Sequence, residues 1–176
     1  MYPALRLTWQ FWKNRKAPRL GTFDIHRSSH ICWPWDLDVW FELNNGRTLT
    51  FFDLGRSVLF HRMGTTRTMM HNGWGAAVAG ASVRYRRRVK MFQRVEMQSR
   101  LLGWDDRFLY VLQSMWRKGD CTSQALIRSA VTNASGIVAP ARVAAATGVD
   151  PQSPPLPGWV SAWITAEAER PWPPVD

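Results

Sequence analysis

The feature that most constrains this chain is an alternation of apolar and polar residues through its second half. Alternation with a period of two predicts β-strands that bury one face. It runs over residues 77–90, 95–101, 107–117 and 121–133, and the segments GWDD and KGD separate the last three as turns. The pattern therefore predicts long antiparallel strands joined in order as a meander.

A helical pattern precedes these strands, over residues 46–63, and we expect a loop over residues 65–75 and a strand over residues 21–32. Its apolar residues cover more than one stripe of the helix: Leu49, Phe51, Phe52, Leu54, Val58, Leu59, Phe60 and Met63. A helix that is apolar on most sides is buried on most sides. Gly55 within it costs about 1 kcal/mol against alanine, which indicates a backbone in close approach. One buried helix followed by antiparallel strands predicts an α+β fold.

Composition excludes several classes of protein. The chain of 176 residues is 45% hydrophobic, enough for one domain with a core, and its formal net charge is +10. Cys32 and Cys121 are too few for a disulfide framework or a four-thiolate zinc site. The four histidines lack ligand spacing, and neither a Walker loop nor GxGxxG is present.

No segment matches a membrane span or a secretory signal. The longest uncharged run, between Arg67 and Arg84, is shorter than the roughly 20 residues that a span needs. The first residues lack an apolar stretch with a small-residue cleavage site. We therefore expect a reducing, cytoplasmic setting.

The two ends of the chain differ from its centre. Residues 1–17 combine Leu5, Leu7, Trp9, Phe11 and Trp12 with Lys13, Arg15 and Lys16 and contain no acid. This pattern predicts an aromatic, basic helix that contacts an anionic membrane, or one that packs on its own domain or a partner. Residues 151–176 hold seven of the eleven prolines and predict an ordered strap with a short helix.

Polar side chains gather just before the buried helix, namely Asp36, Asp38, Glu42, Asn44 and Asn45. A helix N-terminus offers unpaired N–H groups that stabilise an oxyanion formed from a carbonyl. A carboxylate beside it can attack that carbonyl or activate water. The alternative is structural, because acids and asparagines at a helix start are ordinary caps.

These residues resemble a motif of the 4-hydroxybenzoyl-CoA thioesterase branch of the hotdog-fold superfamily, D-x-x-G-H-V-N-N-x-x-Y. Asp38, Asn44 and Asn45 keep its register, and Asp53 and Arg56 match the acid and arginine of the helix that follows it. Thioesterase-superfamily-member-6-like proteins are the closer resemblance, through WPWDLD, ELNNGRTLT, GASVRYRRR and GWDDRF. The likeness covers residues 20–150 and the proline-rich tail. Phe41-Glu42 replaces the motif's Gly-His, and Thr48 its aromatic residue.

The resemblance implies a hotdog fold, with an antiparallel sheet wrapped around one long buried helix. It implies domain boundaries at 1–19, 20–150 and 151–176, and hydrolysis of acyl-CoA or another acyl thioester. Asp38 would be the nucleophile or general base, with Glu42, Asn44 and Asn45 beside it and the helix amides polarising the thioester carbonyl. Coenzyme A would enter only as part of the substrate, without a separate cofactor or metal. The rival function is a non-catalytic protein that binds acyl-CoA or lipid at a membrane surface.

A run of basic residues follows the helix. Arg84, Arg86, Arg87 and Arg88 surround Tyr85, and arginine geometry suits the phosphates of coenzyme A. We expect these five residues, with Asp53, to bind substrate. A solvated strand face is the bland alternative, and nucleic-acid binding a third, although no nucleic-acid motif accompanies the run. The exposed strand edge and the resemblance together predict a homodimer, or a dimer of dimers, whose sheets join edge to edge.

Overall fold

The computed structural model describes residues 3–171, 173 and 174. Residues 1 and 2 of the predicted N-terminal helix, and residues 172, 175 and 176 of the predicted strap, lie outside this part of the chain. The helices are α1 (Ala4–Asn14), α2 (Asn45–Met63), α3 (Thr65–His71), α4 (Pro140–Ala146) and α5 (Gly158–Glu169), and one turn of 3-10 helix covers Pro34–Asp36. The strands are β1 (His26–Ile31), β2 (Gly75–Tyr85), β3 (Arg94–Trp104), β4 (Leu109–Arg117), β5 (Asp120–Asn133) and β6 (Gly136–Val138).

One antiparallel sheet in the order β1-β3-β4-β5-β2 forms the body of the fold. Strands β3, β4 and β5 follow one another as hairpins, which confirms the predicted meander, and β6 pairs with the end of β5. The sheet packs against the length of α2, and this arrangement is the predicted α+β hotdog fold.

Helix α2 is buried because its apolar residues cover most of its circumference. The side chains of Phe51, Phe52, Leu54, Val58 and Leu59 are fully enclosed. Gly55 lies where a Cβ atom would stand 2.4 Å from the sulfur of Met97 and 2.9 Å from Oγ of Ser99. The predicted close approach is therefore present, but side chains of β3 make it, not a neighbouring backbone.

Several predicted boundaries were wrong. Residues 65–71 form helix α3 instead of a loop, because Gly64 adopts φ +84°, ends α2 and lets the next helix begin at once. Strand β3 continues through Gly103 and Trp104, so the turn expected there starts later, and β1 begins only at His26. The sequence pattern gave no indication of α4 and β6.

Strand β2 ends earlier than the alternation predicted. It stops at Tyr85, because the N–H groups of Arg86 and Arg87 both donate to the carbonyl oxygen of Thr122, at 2.8 and 3.1 Å. Its register against β5 also shifts by one residue between Val78 and Gly80. Such a bulge reverses the side-chain alternation, so the single face predicted for residues 77–85 does not exist.

The two edges of the sheet differ in how far other elements cover them. Helix α1 lies along β1, where Nε2 of Gln10 donates to the carbonyl oxygen of Ser29 at 3.3 Å. No described element pairs with the outer side of β2, and most of that strand is exposed. On the outer sheet face, α5 packs Val160 and Trp163 against Tyr110. None of the described helices is both long enough and apolar enough to cross a membrane.

Candidate functional site

A tight loop leads into α2 and is fixed at both ends by backbone hydrogen bonds. The N–H of Asn44 donates to the carbonyl oxygen of Asp36 at 2.9 Å, and the N–H of Asp38 donates to that of Glu42 at 2.8 Å. The N–H of Leu43 donates to the carbonyl oxygen of Val89 at 2.8 Å. The loop is thereby attached to the segment that follows β2.

Asp38, the predicted nucleophile or base, holds this loop in shape. Its Oδ1 accepts the N–H groups of Trp40, at 2.9 Å, and Glu42, at 3.3 Å. Its Oδ2 makes no hydrogen bond to the residues that the structure describes. One carboxylate oxygen of Asp38 therefore has a local structural role.

Phe41 occupies the position of the glycine in the thioesterase motif. Its φ of +58° lies in the left-handed region, which glycine adopts at no steric cost and phenylalanine rarely adopts. The backbone at position 41 thus has a conformation typical of glycine, although an aromatic residue occupies it. Val39, Trp40 and Phe41 are all more than three quarters exposed, which makes the tip of the loop apolar.

Asn44 caps α2. Its Oδ1 accepts the N–H groups of Gly46, at 2.8 Å, and Arg47, at 3.3 Å, and the N–H of Thr48 donates to its carbonyl oxygen. Two of the amides predicted to polarise a substrate carbonyl are therefore already bonded. The N–H of Asn45 is the first-turn amide without a partner among the described residues.

Asp36 is the most buried carboxylate at this end of the helix. Its side chain is 1% exposed and binds both terminal nitrogens of Arg6, at 3.1 and 2.6 Å. Nε of Arg47 stands 3.9 Å away, and the N–H of Trp33 donates to Oδ2 of Asp36 at 2.9 Å. Asp36 belongs to the predicted polar cluster, but its partner Arg6 was not predicted, because no sequence pattern links residues 30 positions apart.

In the basic run, Arg88 forms an ion pair, and the other arginines are exposed to solvent. Nη1 of Arg88 contacts Oε1 of Glu42 at 2.9 Å, so the predicted site acid is paired with one of the predicted phosphate-binding arginines. The side chains of Arg84, Arg86 and Arg87 are exposed near the end of β2. Burial raises the pKa of the neighbouring Tyr85.

Asp53, predicted to bind substrate, lies in a groove between α2 and β2. The groove has a volume of about 320 Å³ and is lined by Gly46, Leu49, Thr50, Asp53, Arg56, Val78, Ala81 and Ile127. Val78 and Ala81 are three positions apart, and the bulge between them brings both to the same lining. Neither Asp38 nor the residues of the arginine run are part of it.

Buried polar contacts hold Asp53 in place. Nη2 of Arg56 donates to Oδ1 of Asp53 at 2.5 Å, and Nη1 of Arg56 donates to Oε1 of Gln113 at 3.2 Å. Nε2 of Gln113 in turn donates to Oγ of Ser99 and to the carbonyl oxygen of Phe52, both at 2.7 Å. The side chain of Asp53 keeps 33% of its surface exposed, whereas Arg56 is buried.

The groove contains both the carboxylate of Asp53 and the start of α2, and it lies beside the edge strand β2. Gly46 is the second residue of α2, where the helix dipole is positive, and Asp53 follows two turns later. This combination can bind a polarised carbonyl and activate a water molecule. The described residues contain no group of three histidine, cysteine, aspartate or glutamate side chains placed to hold a metal ion.

Comparison with known proteins agrees with the fold. The model of the thioesterase-like superfamily matches residues 32–164. The chain is 40% identical to Protein THEM6 of Xenopus laevis over 88 residues, which are 50% of this chain and 42% of that protein. It is 29% identical to Protein THEM6 of Drosophila melanogaster over 100 residues, 56% of this chain and 52% of that protein. The chain thus spans about half the length of the curated relatives it matches.

A solved structure described as a DHNA-CoA thioesterase from Staphylococcus aureus also has this fold. It superposes with a TM-score of 0.61 at 13% identity and covers 82% of this chain and 91% of its own. Together with the antiparallel sheet around α2, these matches define the class as hotdog-fold proteins. The chain belongs to the thioesterase-like superfamily and is related to the THEM6 proteins.

Proposed function

We propose that this protein hydrolyses acyl thioesters, with coenzyme A esters as the substrate class, in the groove between α2 and β2. The observation that carries the proposal is that Asp53 and the first turn of α2 line one groove. Membership of the thioesterase-like superfamily supports the reaction class, and the relative named for a CoA ester supports the substrate class.

The spacing within the groove favours water activation over direct attack by the carboxylate. Gly46 and Asp53 are seven residues apart, which is a rise of about 10 Å along the helix. That length accommodates a thioester carbonyl at the helix start and a water molecule next to Asp53. Asp53 takes a proton from the water, whose oxygen attacks the carbonyl carbon. The C–S bond then breaks, the protonated Asp53 returns its proton to the leaving sulfur, and the products are a carboxylic acid and a free thiol.

The positive end of α2, which lines the groove through Gly46, is the candidate to stabilise the oxyanion. Arg56 keeps the Asp53 carboxylate in one orientation, since Gln113 fixes Arg56 from the opposite side. This scheme uses protein groups and water, without a bound cofactor.

Asp38 remains the alternative base, as the sequence motif predicts. Its carboxylate lies outside the groove lining and already accepts two backbone N–H groups. We therefore assign the base to Asp53 and the support of the loop to Asp38. The exposed arginines near the end of β2 are the candidates for phosphate contacts with coenzyme A.

Release of free thiol from short, long and aromatic acyl-CoA esters tests this proposal. Asp53→Asn should lower turnover at least about 10²-fold with little change in CoA binding, whereas Asp38→Asn should have a much smaller effect. A large loss in Asp38→Asn with an active Asp53→Asn would move the base to Asp38. Binding of CoA esters without thiol release by the wild type would favour the non-catalytic binding protein.

A second copy of this chain is the proposed partner of β2. Residues 75–83 of this strand carry no charge, and α1 covers only the opposite edge of the sheet. Exposed strand edges without charges pair readily with another strand. Pairing through β2 also closes the groove, because Val78 and Ala81 belong to that strand.

Peripheral contact with an anionic membrane is also proposed, through one face of α1. Leu5, Trp9 and Trp12 are exposed at helical spacing, and Trp9 stacks on Trp12 with ring centroids 4.9 Å apart. The guanidinium of Arg15 lies 4.1 Å from the Trp12 ring, so cationic and aromatic groups meet on that face. Trp9→Ser with Trp12→Ser should reduce sedimentation with anionic vesicles, and equal sedimentation would contradict the contact.

A further inference from the structure

A second cavity lies between α1 and the edge strand β1, at the sheet edge opposite the catalytic groove. Its volume is about 400 Å³, and it shares no lining residue with that groove. Its described lining contains three cations, Arg6, Lys13 and Arg94, and no carboxylate. The cavity is therefore electropositive and large enough for a small organic anion.

The charges around the cavity leave an excess of two positive charges. Arg6 is neutralised by Asp36, which lies behind it. Arg94 donates to Oγ of Ser29 at 3.1 Å, and neither it nor Lys13 forms an ion pair with a described residue. Glu96, the nearest acid along β3, lines a neighbouring cavity that Arg94 also borders, but the two side chains form no ion pair among the described residues. A dianion complements this arrangement.

Gln10 is a buried residue of the same lining. The residue is 5% exposed, and its Nε2 donates to the carbonyl oxygen of Ser29. Because that carbonyl can only accept, the amide orientation is fixed. Oε1 of Gln10 then has no partner among the described residues. The hydrogen bond from Gln10 to Ser29 therefore holds α1 against β1 beside the cavity.

Two indoles and a neutral imidazole complete the lining. Trp9 and Trp33 are partly exposed, so they can cover the organic part of a ligand. Burial and the charges of Arg6, His26 and Lys13 lower the pKa of His30 to about 3. His30 is therefore uncharged at neutral pH, and the positive field that lowers its pKa also favours an anion.

We propose that this cavity binds a phosphate monoester, either free in solution or as a lipid head group. A phosphate monoester carries a charge between about −1.5 and −2 at pH 7, which matches the two unpaired cations. Arg94 and Lys13 bind the phosphate.

Calorimetric titration with glycerol 3-phosphate, and sedimentation with vesicles containing phosphatidic acid, distinguish the two sources. The double variant Lys13→Gln with Arg94→Gln should weaken binding at least about tenfold. The control, Arg27→Gln with Arg100→Gln, makes the same change in net charge at exposed arginines outside the cavity and should bind like the wild type. Vesicles that carry the same negative charge in the form of phosphatidylserine are the comparison. Sedimentation with them measures the general membrane contact of α1, and additional sedimentation with phosphatidic acid measures binding at this site.

Binding of glycerol 3-phosphate that the double variant loses supports the soluble ligand. Sedimentation with phosphatidic acid alone, lost in the same variant, supports the lipid head group. Equal binding by the double variant and the control, or no binding of either probe by the wild type, overturns the proposal. Thiol release should be the same in all of these variants, because their residues do not line the catalytic groove.

Discussion

Arg6 binds Asp36 through two parallel hydrogen bonds, from Nη1 to Oδ1 at 3.1 Å and from Nη2 to Oδ2 at 2.6 Å. This pair attaches helix α1 to the loop that leads into α2, across 30 residues of sequence. The carbonyl oxygen of Asp36 also accepts the N–H of Asn44, the residue that caps α2. The N-terminal helix is thereby connected to the start of the buried helix.

Removing Arg6 should destabilise the whole fold. Arg6→Gln leaves the carboxylate of Asp36 buried with only weaker partners, and breaking such a pair costs about 3 kcal/mol or more. Urea unfolding followed by circular dichroism measures this loss. Arg27→Gln is the control, because Arg27 is exposed and its loss should change stability by less than about 0.5 kcal/mol. Equal stability of the two variants would contradict a structural role for the pair.

Replacing Gly55 by alanine should destabilise the protein, although alanine is the better helix former. The added Cβ would overlap the sulfur of Met97 and Oγ of Ser99, and overpacking of this kind costs about 1–3 kcal/mol. Gly158→Ala at the start of α5 has no atom near its Cβ and should be neutral or slightly stabilising. The midpoints of thermal unfolding of the two variants should therefore shift differently. A Gly55→Ala protein as stable as the wild type would show that Met97 moves freely.

Substitution by glycine should stabilise the protein at Phe41 and destabilise it at the neighbouring Trp40. The left-handed backbone at position 41 costs a residue with a side chain about 1–2 kcal/mol, and Phe41→Gly removes this cost. The additional backbone entropy that glycine loses on folding is a smaller cost. Phe41→Gly should therefore raise stability by about 0.5 kcal/mol. Trp40→Gly has no such strain to relieve and should lower stability by a similar amount. Chemical denaturation of both variants is the measurement, and a loss in both would contradict strain at position 41.

Lowering the pH should reduce the stability of the fold, because two histidines are buried. Burial and the charge of Arg62 lower the pKa of His26 to about 4, and burial with Arg6 foremost among the nearby charges lowers that of His30 to about 3. Below about pH 6.5 the unfolded chain takes up protons that the folded chain does not. Stability should therefore be constant above pH 7 and fall from pH 6.5 towards pH 4, by up to about 1.4 kcal/mol per pH unit for each histidine.

Urea unfolding at several pH values measures this slope. His30→Gln should flatten it between pH 6.5 and 4, whereas His71→Gln, at an exposed position, should leave it unchanged. A slope that is the same in both variants would contradict the assignment to His30.

A charge on the open sheet edge should separate the proposed dimer. Ala77 is exposed on β2, and in an edge-to-edge dimer Ala77→Arg would place a charge from each copy in the interface between the two strands. Light scattering should then give the mass of a monomer for Ala77→Arg and of a dimer for the wild type. Ala134→Arg, in the exposed loop before β6, should behave like the wild type. A wild-type monomer at micromolar concentration would contradict the assembly.

The amino-acid sequence by itself determined the class of fold and the direction of its main elements. The apolar residues of α2 cover most of a helix, and the alternation in β3 places Val95, Met97, Ser99 and Leu101 on one buried face. Such patterns depend only on helical and strand periodicity, so they can be read without coordinates. The residues before α2 likewise indicated a helix start, and Asn44 caps it.

Only the tertiary structure decided which of these residues come together. The bulge at Val78 and Gly80 inserts one residue into β2, which reverses the alternation and creates the lining of the groove. The contact of Arg6 with Asp36 depends on how α1 packs along β1. Register and long-range packing are set by the fit of many side chains at once, which local patterns do not encode. The sequence indicated both Asp38 and Asp53 as site residues, and the packing of α2 against β2 places Asp53 in the groove.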